Sequence, residues 1–548
     1  MADVKQLSLL KKGATAWNEW RNKNPDILPD LFRADLSRSN LVGMNLAKAN
    51  LFKGNLSGAN LSQVDLSDAN LSGANLSGAD LGKANLPKAI LIEAKLIETK
   101  LTDAKLVGAN LFRADLSGAN LFRADLSNAD LEGSTLSGAN LSEANLNGTN
   151  LNKTSLIAAV LVETRLVGAE LNGVLFNEAD LSGADLTGAM LSGADLSNAD
   201  LDGANLNRAK LAKANFAGVD LYGAILTGTD LIGADFSEAN LSMANLQDAD
   251  LNRANLGKAR LSRTRMSKAN LDGADLNGAD LRGADLSRAI LVNANFSGAD
   301  LSGASLCDAD LSNADLSRAK FIGADLTRTN LDESNLWQTV FVDVDLSVAR
   351  GLETVNHLGP SCLGIDTLYL SKGEIPKAFL RGCGVPENFV GFIQLAGAQH
   401  ETTEFCALRY SIKDQSFAKK LYENLMRNGI RCWLVPDELR TGERFHIRID
   451  EAIKVYDKLF LIVSENSIDS SWMESEIEAA LARERQLSTN IIVPIRLDDS
   501  MLTTNQPWAV EMRQSHQIED LTDWEDEQRF QQVVAQLMHT FDKGSITG

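Results

Sequence analysis

This 548-residue chain lacks several features that mark common functional classes. It has 53 basic residues against 73 acidic ones, which gives a net charge of −20, and the basic residues form no stripe along the sequence. Because proteins that hold nucleic acids cluster Lys and Arg against phosphates, we expect no nucleic-acid partner. The sequence has no apolar signal core and no run of about 18 apolar residues. We therefore expect a cytoplasmic protein with no membrane partner.

Cysteine and histidine are also scarce. The five cysteines are odd in number and show no metal-ligand spacing, so we expect reduced thiols and no metal site. His446 has neither an acidic nor a metal-ligating partner in the sequence. Residues 31–350 contain no histidine, so we predict that they carry no catalytic chemistry. They also contain only one proline, Pro87, as expected where most backbone N–H groups must pair.

One short repeat dominates the chain. From Leu31 to Leu346 a large apolar residue returns at every fifth position, through 64 units. A small residue, usually Ala, stands two positions earlier, and Asp or Asn stands one position earlier. A period of five matches neither a helix nor a strand. Fixed short repeats instead predict stacked coils, in which each unit buries its apolar residue against its neighbours.

This pattern resembles the pentapeptide-repeat family. The resemblance implies a right-handed quadrilateral β-helix over residues 31–350, with one pentapeptide on each side and Leu or Phe pointing into the axis. About 16 coils at roughly 4.8 Å each would form a solenoid of about 75 Å. Some members of the family mimic DNA and bind topoisomerases. The charge of −11 over these residues, with Lys and Arg interleaved, is dilute for such a mimic, so we favour a scaffold.

Both ends of such a rod need a cap, because an open coil exposes unpaired backbone groups. Residues 1–30 predict an N-terminal capping helix, in which Val4, Leu7, Leu10 and Trp17 recur near helical spacing. Residues 351–403, where the repeat has ended, are predicted to form a connector or a C-terminal cap.

Residues 404–548 alternate short apolar runs with amphipathic segments, which predicts a parallel sheet with helices on both faces. Five strands alternating with helices favour a flavodoxin-like α/β fold, which binds ligands beyond the carboxyl ends of its strands. The predicted strands are 405–410, 431–435, 458–464, 490–497 and 517–521. The predicted helices are 414–428, 445–456, 472–486 and 525–541.

Three segments of this region resemble the Toll/interleukin-1 receptor (TIR) domain in its bacterial form. The first box is Leu-Arg-Tyr-Ser-Ile-Lys-Asp at 408–414, and the second is Cys-Trp-Leu-Val-Pro-Asp-Glu-Leu at 432–439. The third comprises Ser-Glu-Asn-Ser at 464–467 and Ser-Ser-Trp-Met-Glu-Ser-Glu at 470–476. The first box commonly carries Ser where this chain has Arg409.

The resemblance implies an enzyme, because many TIR domains cleave NAD to nicotinamide and linear or cyclic ADP-ribose. NAD would be the substrate, and no cofactor is implied. The implied catalytic residue is Glu476, four residues after Trp472. If Ser471 caps the helix, Glu474 completes a capping box, whereas Glu476 shares a helix face with Trp472.

The resemblance also implies residues that line the substrate site, namely Arg409, Tyr410, Ser411, Trp433 and Trp472. Core packing is the favoured role for Trp433. The loop after the second strand is the family's assembly and gating element, with Pro436, Asp437, Leu439, Gly442 and Arg444 in this chain. The same polar residues would suit any solvated loop.

Three functions follow from these patterns. The first is an NAD glycohydrolase in bacterial defence or signalling, with the rod as a scaffold for assembly or sensing. Such an enzyme would self-associate through its TIR domains into a filament or another homo-oligomer. The second is a non-catalytic TIR adaptor, in which Arg409 marks a lost activity. The third is a DNA mimic that inhibits a topoisomerase.

Overall fold

The computed structural model describes residues 2–387, 389–390, 393, 405–428, 430–436, 458–468, 477, 480–481, 484–485 and 490–539. The chain divides into two compact units, residues 1–398 and 399–548. No helix within the described residues combines the length and the apolar character that crossing a bilayer requires.

The repeat region winds into coils of 20 residues. Parallel bridges join residues that lie 20 positions apart, from the pair Asp30 and Asn50 to the pair Asn330 and Arg350. Each coil holds four turn-and-bridge units, one for each pentapeptide, and therefore has four sides. The central Leu of the unit is buried, as at Leu186. A period of five thus directs one apolar side chain inward on every side of the coil.

Asn and Asp residues close the turns and join the coils. Asn55 Oδ1 accepts the backbone N–H of Ser57 at 3.3 Å, and Asn55 Nδ2 donates to Asp35 Oδ1 in the preceding coil at 3.1 Å. The second residue after the central Leu lies in the left-handed region at nearly every turn, as at Gly58 with a φ of 64°. Glycine adopts this conformation at little cost, which explains its recurrence there.

Two helices, rather than the single predicted helix, precede the first coil. Helix α1 spans Val4–Leu10 and helix α2 spans Ala14–Lys23. Gly13 separates them with a φ of 96°, a backbone conformation that interrupts a helix and that glycine tolerates. The prediction of one continuous helix is therefore wrong at this residue.

Helix α2 satisfies backbone groups at the open end of the rod. The buried Trp17 donates from Nε1 to the Asn45 carbonyl at 2.7 Å. Asn18 accepts the Asn45 N–H at 2.8 Å and donates to the Gly43 carbonyl at 2.9 Å. These side chains replace the partners that an earlier coil would have supplied.

The other end of the rod loses the period of five but continues the pairing. Strand β1 (Lys320–Ile322) pairs with β3 (Val340–Val342), and β3 pairs with β5 (Cys362–Leu363). Strand β2 (Asn335–Leu336) pairs with β4 (Asn356–His357). Residues outside the repeat therefore add one more layer of hydrogen-bonded backbone to the last coil.

Two short helices follow this layer, α3 (Ile365–Leu370) and α4 (Lys377–Gly382). Thr367 on α3 is fully buried, and its hydroxyl accepts the Val344 N–H at 3.3 Å and donates to the Phe341 carbonyl at 3.1 Å. In the repeat the equivalent N–H bonds the carbonyl of its own turn, as Ala319 does to Leu316 at 3.1 Å, so the Thr367 hydroxyl bridges the last such turn. Ser371 Oγ accepts the Leu346 N–H at 2.9 Å and thereby replaces the partner that a further coil would have supplied.

His357 on β4 lies within this cap. Both of its ring nitrogens are buried and have no hydrogen-bond partner among the described residues. The ring contacts Phe379 edge-on, with centroids 5.2 Å apart, and it covers Gly382, where an added Cβ would overlap it. Burial lowers the pKa of His357 below its ordinary value of 6.5. The folded cap therefore favours the neutral imidazole.

We expect the N-terminal unit to lose stability as the pH falls below about 6.5, the ordinary pKa of histidine. The unfolded chain binds the His357 proton more tightly than the folded cap does, so the contribution is complete above the unfolded pKa of 6.5 and is lost below it. His357→Phe keeps an aromatic ring without a titrating group. Calorimetric melting of the full chain should show a weaker pH dependence in this variant. An unchanged pH dependence would contradict the assignment.

The second unit contains a sheet in which every pair of strands is parallel, in the order β10-β9-β8-β6-β7. The strands are β6 (Phe405–Tyr410), β7 (Arg431–Pro436), β8 (Lys458–Val463), β9 (Ile492–Arg496) and β10 (Glu519–Asp520). The helices are α5 (Gln415–Arg427), α6 (Ser500–Thr503), α7 (Pro507–Ser515) and α8 (Glu527–His539). Helices α6 and α7 are absent from the sequence-based prediction.

Hydrophobic cores cover both faces of this sheet. Leu408 of β6 packs on one face with Phe417 of α5. Ala407, the preceding residue, packs on the other face in the same core as the helical residue Ile477. Successive side chains of a strand alternate in this way, and burial on both faces is typical of a parallel sheet.

The cysteines are not all reduced. Cys406 of β6 and Cys432 of β7 are register partners in the sheet and form a disulfide. The expectation of reduced thiols is therefore wrong for this pair. Strand register brings their Cα atoms to 4.7 Å, a proximity that their spacing in the sequence does not reveal.

Candidate functional site

The strand order places a candidate ligand-binding position at the carboxyl ends of β6 and β8. These two strands are neighbours, yet the chain continues from β6 to β7 on one side and from β8 to β9 on the other. Open parallel sheets bind ligands where the strand order reverses, because the connections diverge and leave a crevice. Ser411 follows β6 and Ser464 follows β8, so these residues lie at the expected position.

Asp414 joins these two strand ends. Its Oδ2 accepts the Ser464 hydroxyl at 2.6 Å, and its Oδ1 accepts the side-chain amide of Asn466 at 2.8 Å. Asp414 occupies the N-cap position of α5 but makes no capping hydrogen bond there, although aspartate at this position normally accepts from the first helical amides. Both carboxylate oxygens instead bind the turn that follows β8.

Hydroxyl groups close the turn itself. Ser467 accepts the Ser464 N–H at 2.9 Å and donates to the Ile462 carbonyl at 3.2 Å. Ser464 Oγ also accepts the Asn466 N–H at 3.1 Å. Ser464 and Ser467 are buried, and their bonding partners hold the turn in one geometry.

The end of β9 supports the same turn. Asp498 accepts the backbone N–H of Glu465 at 2.7 Å and that of Ser500 at 2.9 Å. Burial opposes ionisation of Asp498, but hydrogen bonds from Ser500 and Glu465 outweigh it, and the pKa lies below its ordinary 3.8. Arg496 donates to Asp520 at 2.5 Å. The charged side chains at the carboxyl ends of β9 and β10 are therefore paired with hydrogen-bonding partners.

Three residues predicted to line the substrate site are buried beside this position: Arg409, Tyr410 and Ser411. Tyr410 belongs to the core that also contains Phe417. Strand alternation assigns Arg409 to the opposite face of β6. Arg409, Tyr410 and Ser411 all make interactions within the protein. Their role toward a substrate stays a prediction.

The remaining predicted site residues are placed only in part. Trp433 lies on β7 in register with Ala407, and Pro436 ends the same strand in register with Tyr410. Asp437, Leu439, Gly442, Arg444, Trp472 and Glu476 lie outside the described residues. The residue after Glu476, Ile477, is helical and fully buried.

A second polar cluster lies at the opposite ends of the strands. Glu484 Oε1 accepts the N–H groups of Ile491 and Ile492 at 2.6 and 2.8 Å. His516 Nε2 lies 3.0 Å from Glu484 Oε2, and His516 Nδ1 lies 2.8 Å from the Ser515 hydroxyl. Burial opposes ionisation of Glu484, but the bonds from His516 and the two amides outweigh it, and the pKa falls below its ordinary 4.5.

The sequence-based prediction missed the roles of Asp414, Ser464 and Asn466, although Asp414 belongs to the first box and the other two belong to the third. Their signal was positional, because all three lie near the carboxyl ends of predicted strands. Ser464 ends the predicted strand 458–464, Asn466 lies two residues beyond it, and Asp414 lies four residues beyond the predicted strand 405–410. Glu484 and His516 gave no such signal, because they lie 32 residues apart. Within the described part of the chain, no group of His, Cys, Asp and Glu is arranged to hold a metal ion.

Comparison with known families accounts for both units. The family profile described as pentapeptide repeats matches repeatedly between residues 30 and 347, more than half of the chain. The chain belongs to the pentapeptide-repeat family. The profile described as TIR domain matches residues 407–534. This pentapeptide-repeat protein therefore has its repeat region fused to a C-terminal TIR domain.

Solved structures resemble separate parts of this pentapeptide-repeat protein. HetL, a pentapeptide-repeat protein involved in heterocyst differentiation regulation in the cyanobacterium Nostoc, is 34% identical, with 46% of this chain and 88% of HetL covered and a TM-score of 0.18. QnrB1, a plasmid-mediated fluoroquinolone resistance protein, is 24% identical, with coverage of 32% and 86% and a TM-score of 0.26. The TIR domains of the Roq1 resistosome are 20% identical, with coverage of 24% and 82% and a TM-score of 0.17. None of the curated proteins matches this chain.

We expect Glu484→Gln to lower the free energy of unfolding of the TIR domain by about 1–2 kcal/mol at neutral pH. The substitution removes the charge of the carboxylate that accepts hydrogen bonds from His516 and from two backbone amides, and hydrogen bonds to a charged group contribute about this much. The folded state binds the Glu484 proton less tightly than the unfolded chain does, so the contribution exists above the unfolded pKa of 4.5 and vanishes as the pH falls through the folded value. Urea unfolding at several pH values measures it.

Glu511→Gln is the matched control. Glu511 forms an exposed ion pair with Arg485 at 3.0 Å, and such pairs contribute about 0–1 kcal/mol. If both variants lost the same stability at every pH, the buried Glu484 cluster would have no special role.

Proposed function

We propose that the TIR domain of this protein is an NAD glycohydrolase, which cleaves NAD to nicotinamide and linear or cyclic ADP-ribose. The observation that carries the proposal is the polar crevice position between β6 and β8, in a domain of a family that includes NAD-cleaving enzymes. In this proposal the reaction is cytoplasmic and serves bacterial defence or signalling. The repeat region acts as a scaffold for assembly or sensing.

One carboxylate is sufficient for this reaction. Most glycosidases use two, because a poor leaving group must be protonated. Nicotinamide leaves NAD from a pyridinium that is already cationic, so it departs neutral without an acid. The remaining task is to stabilise the positive charge that develops on the ribose, and a carboxylate beneath the sugar provides that stabilisation. We assign this role to Glu476.

A TIR adaptor without catalytic activity is the alternative. The observation that favours it is Arg409, which replaces the common Ser of the first box and is 5% exposed. A buried guanidinium occupies more volume than a hydroxymethyl group and carries a charge that its surroundings must balance. Nicotinamide release by the purified protein discriminates between the two functions.

We expect Glu476→Gln to reduce kcat for NAD cleavage by about 100-fold or more, as is usual when a group that stabilises the transition state is removed. Chromatographic measurement of nicotinamide release gives kcat and KM separately. Full activity in this variant would refute the catalytic assignment while leaving the reaction itself established.

Glu474→Gln is the matched control for this measurement. Glutamine can complete a capping box as glutamate does, so this neighbouring variant should retain both its fold and its kcat. Equal losses in the two variants would point to a structural effect of the segment and would contradict a specific role of Glu476.

We also propose that activity depends on self-association through TIR domains, into a filament or another homo-oligomer. The turnover rate per molecule should then rise with protein concentration and reach a plateau as the oligomer forms. Activity assays paired with light scattering over a wide concentration range measure both quantities. A constant turnover rate across the oligomer transition would contradict the proposal.

A further inference from the structure

We propose that Asn466, with its amide oriented by Asp414, accepts a hydrogen bond from a ribose hydroxyl of the substrate. This inference rests on the proposed NAD glycohydrolase and adds a substrate-binding residue to it. Asn466 stands two residues after Ser464, at the carboxyl end of β8 and beside the end of β6.

The orientation of the Asn466 amide is determined by its partner. Asp414 Oδ1 accepts from Asn466 Nδ2 at 2.8 Å. A carboxylate cannot donate, so reversing the amide would place Asn466 Oδ1 against Asp414 Oδ1 and lose the bond. The second carboxylate oxygen is held by Ser464 at 2.6 Å, which prevents Asp414 from turning to follow a reversed amide.

This arrangement leaves the carbonyl oxygen of Asn466 available. Asn466 is half-buried, and among the described residues its Oδ1 accepts no hydrogen bond. A pre-oriented acceptor costs little conformational entropy when a ligand binds, because the protein has already ordered it.

The chemistry of the acceptor suits a ribose hydroxyl of a dinucleotide. A neutral amide oxygen accepts from O–H or N–H groups and adds no charge beside the pyrophosphate of a dinucleotide. Doubly wound sheets already use an acceptor after a strand to bind ribose hydroxyls of dinucleotides. The use of Asp414 as an orienting group also explains why it does not cap its own helix.

The test measures NAD binding by isothermal titration calorimetry in full-length protein that carries Glu476→Gln, so that the ligand is not consumed. Adding Asn466→Leu should weaken NAD binding about tenfold, the loss expected for one hydrogen bond. The same substitution should not weaken binding of the NAD analogue that lacks the ribose hydroxyl in question. The deoxy analogues of the two riboses identify that hydroxyl.

Asn428→Leu is the matched control, because Asn428 is an exposed asparagine of the same domain at the end of α5. Melting temperatures establish that each variant folds. If Asn466→Leu fails to fold, Asn466→Ser removes the amide and leaves room for a water molecule to bind Asp414. Asn466 variants that bind NAD as tightly as the control would overturn the proposal.

Two substitutions test the orienting role of Asp414. Asp414→Ala should weaken NAD binding although the residue does not touch the ligand in this proposal. Asp414→Asn should restore it, since asparagine can accept from Asn466 and donate to Ser464. Unchanged affinity in Asp414→Ala, or no rescue by Asp414→Asn, would refute that role.

Failure of this inference is distinguishable from failure of the proposed function. Wild-type cleavage of NAD with no effect of Asn466 variants would reject the inference alone. NAD binding without cleavage, with weaker binding in Asn466→Leu, would reject the hydrolase and support the binding residue. If the wild-type protein neither binds nor cleaves NAD, both are rejected.

Discussion

The pairing of backbone amides between successive coils is the constraint on which the rod depends. A coil of four pentapeptides has no helix or long strand of its own. Some of its backbone groups bond within a turn, as the Ala59 N–H does to the Leu56 carbonyl at 3.0 Å, but the others find partners in the coils above and below. The buried Leu column supplies the apolar driving force, but it is the 20-residue backbone register that stacks these side chains. Each coil is therefore stable only as part of the stack.

The same constraint explains both ends of the rod. At the first coil, Trp17 and Asn18 bind backbone groups through their side chains. At the last coil, Thr367 does so from a short helix. In the TIR domain, Asp414 likewise uses its carboxylate on the neighbouring turn rather than on its own helix. In each case a single polar side chain forms the hydrogen bonds that the regular pattern of the repeat or of the helix does not provide.

Structural features that depend on a local sequence pattern were predictable, and features that depend on contacts between distant residues were not. The coil follows from the period of five, and β6 at Phe405–Tyr410 coincides with the predicted apolar run. Gly13 divided the predicted N-terminal helix because one left-handed residue overrode the helical spacing. The disulfide of Cys406 with Cys432 depended on strand register, which no local pattern encodes.

The candidate site was predictable only to the level of strand ends. The expected fold class directed attention to the carboxyl ends of the strands, but the pairing of Asp414 with Asn466 joins positions 52 residues apart. An aspartate before a helix predicts a cap on local grounds, and only the packed sheet shows the competing partners. Helices α6 and α7 escaped prediction for a related reason, because they are short and their buried residues, such as Met501 and Trp508, pack in one core with Ala407 from a distant part of the chain.

The four-sided coil restricts how this rod can change in length. Deleting or inserting one pentapeptide moves every later residue to the adjacent side, a quarter of a revolution, although the interior column stays intact. Aromatic and charged residues that share a side, such as Phe32 and Phe52 at a centroid distance of 5.8 Å, would separate after such a change between them. Only indels in multiples of 20 residues preserve the surface pattern, so evolution by whole-coil duplication conserves a binding side and evolution by single repeats reshuffles it.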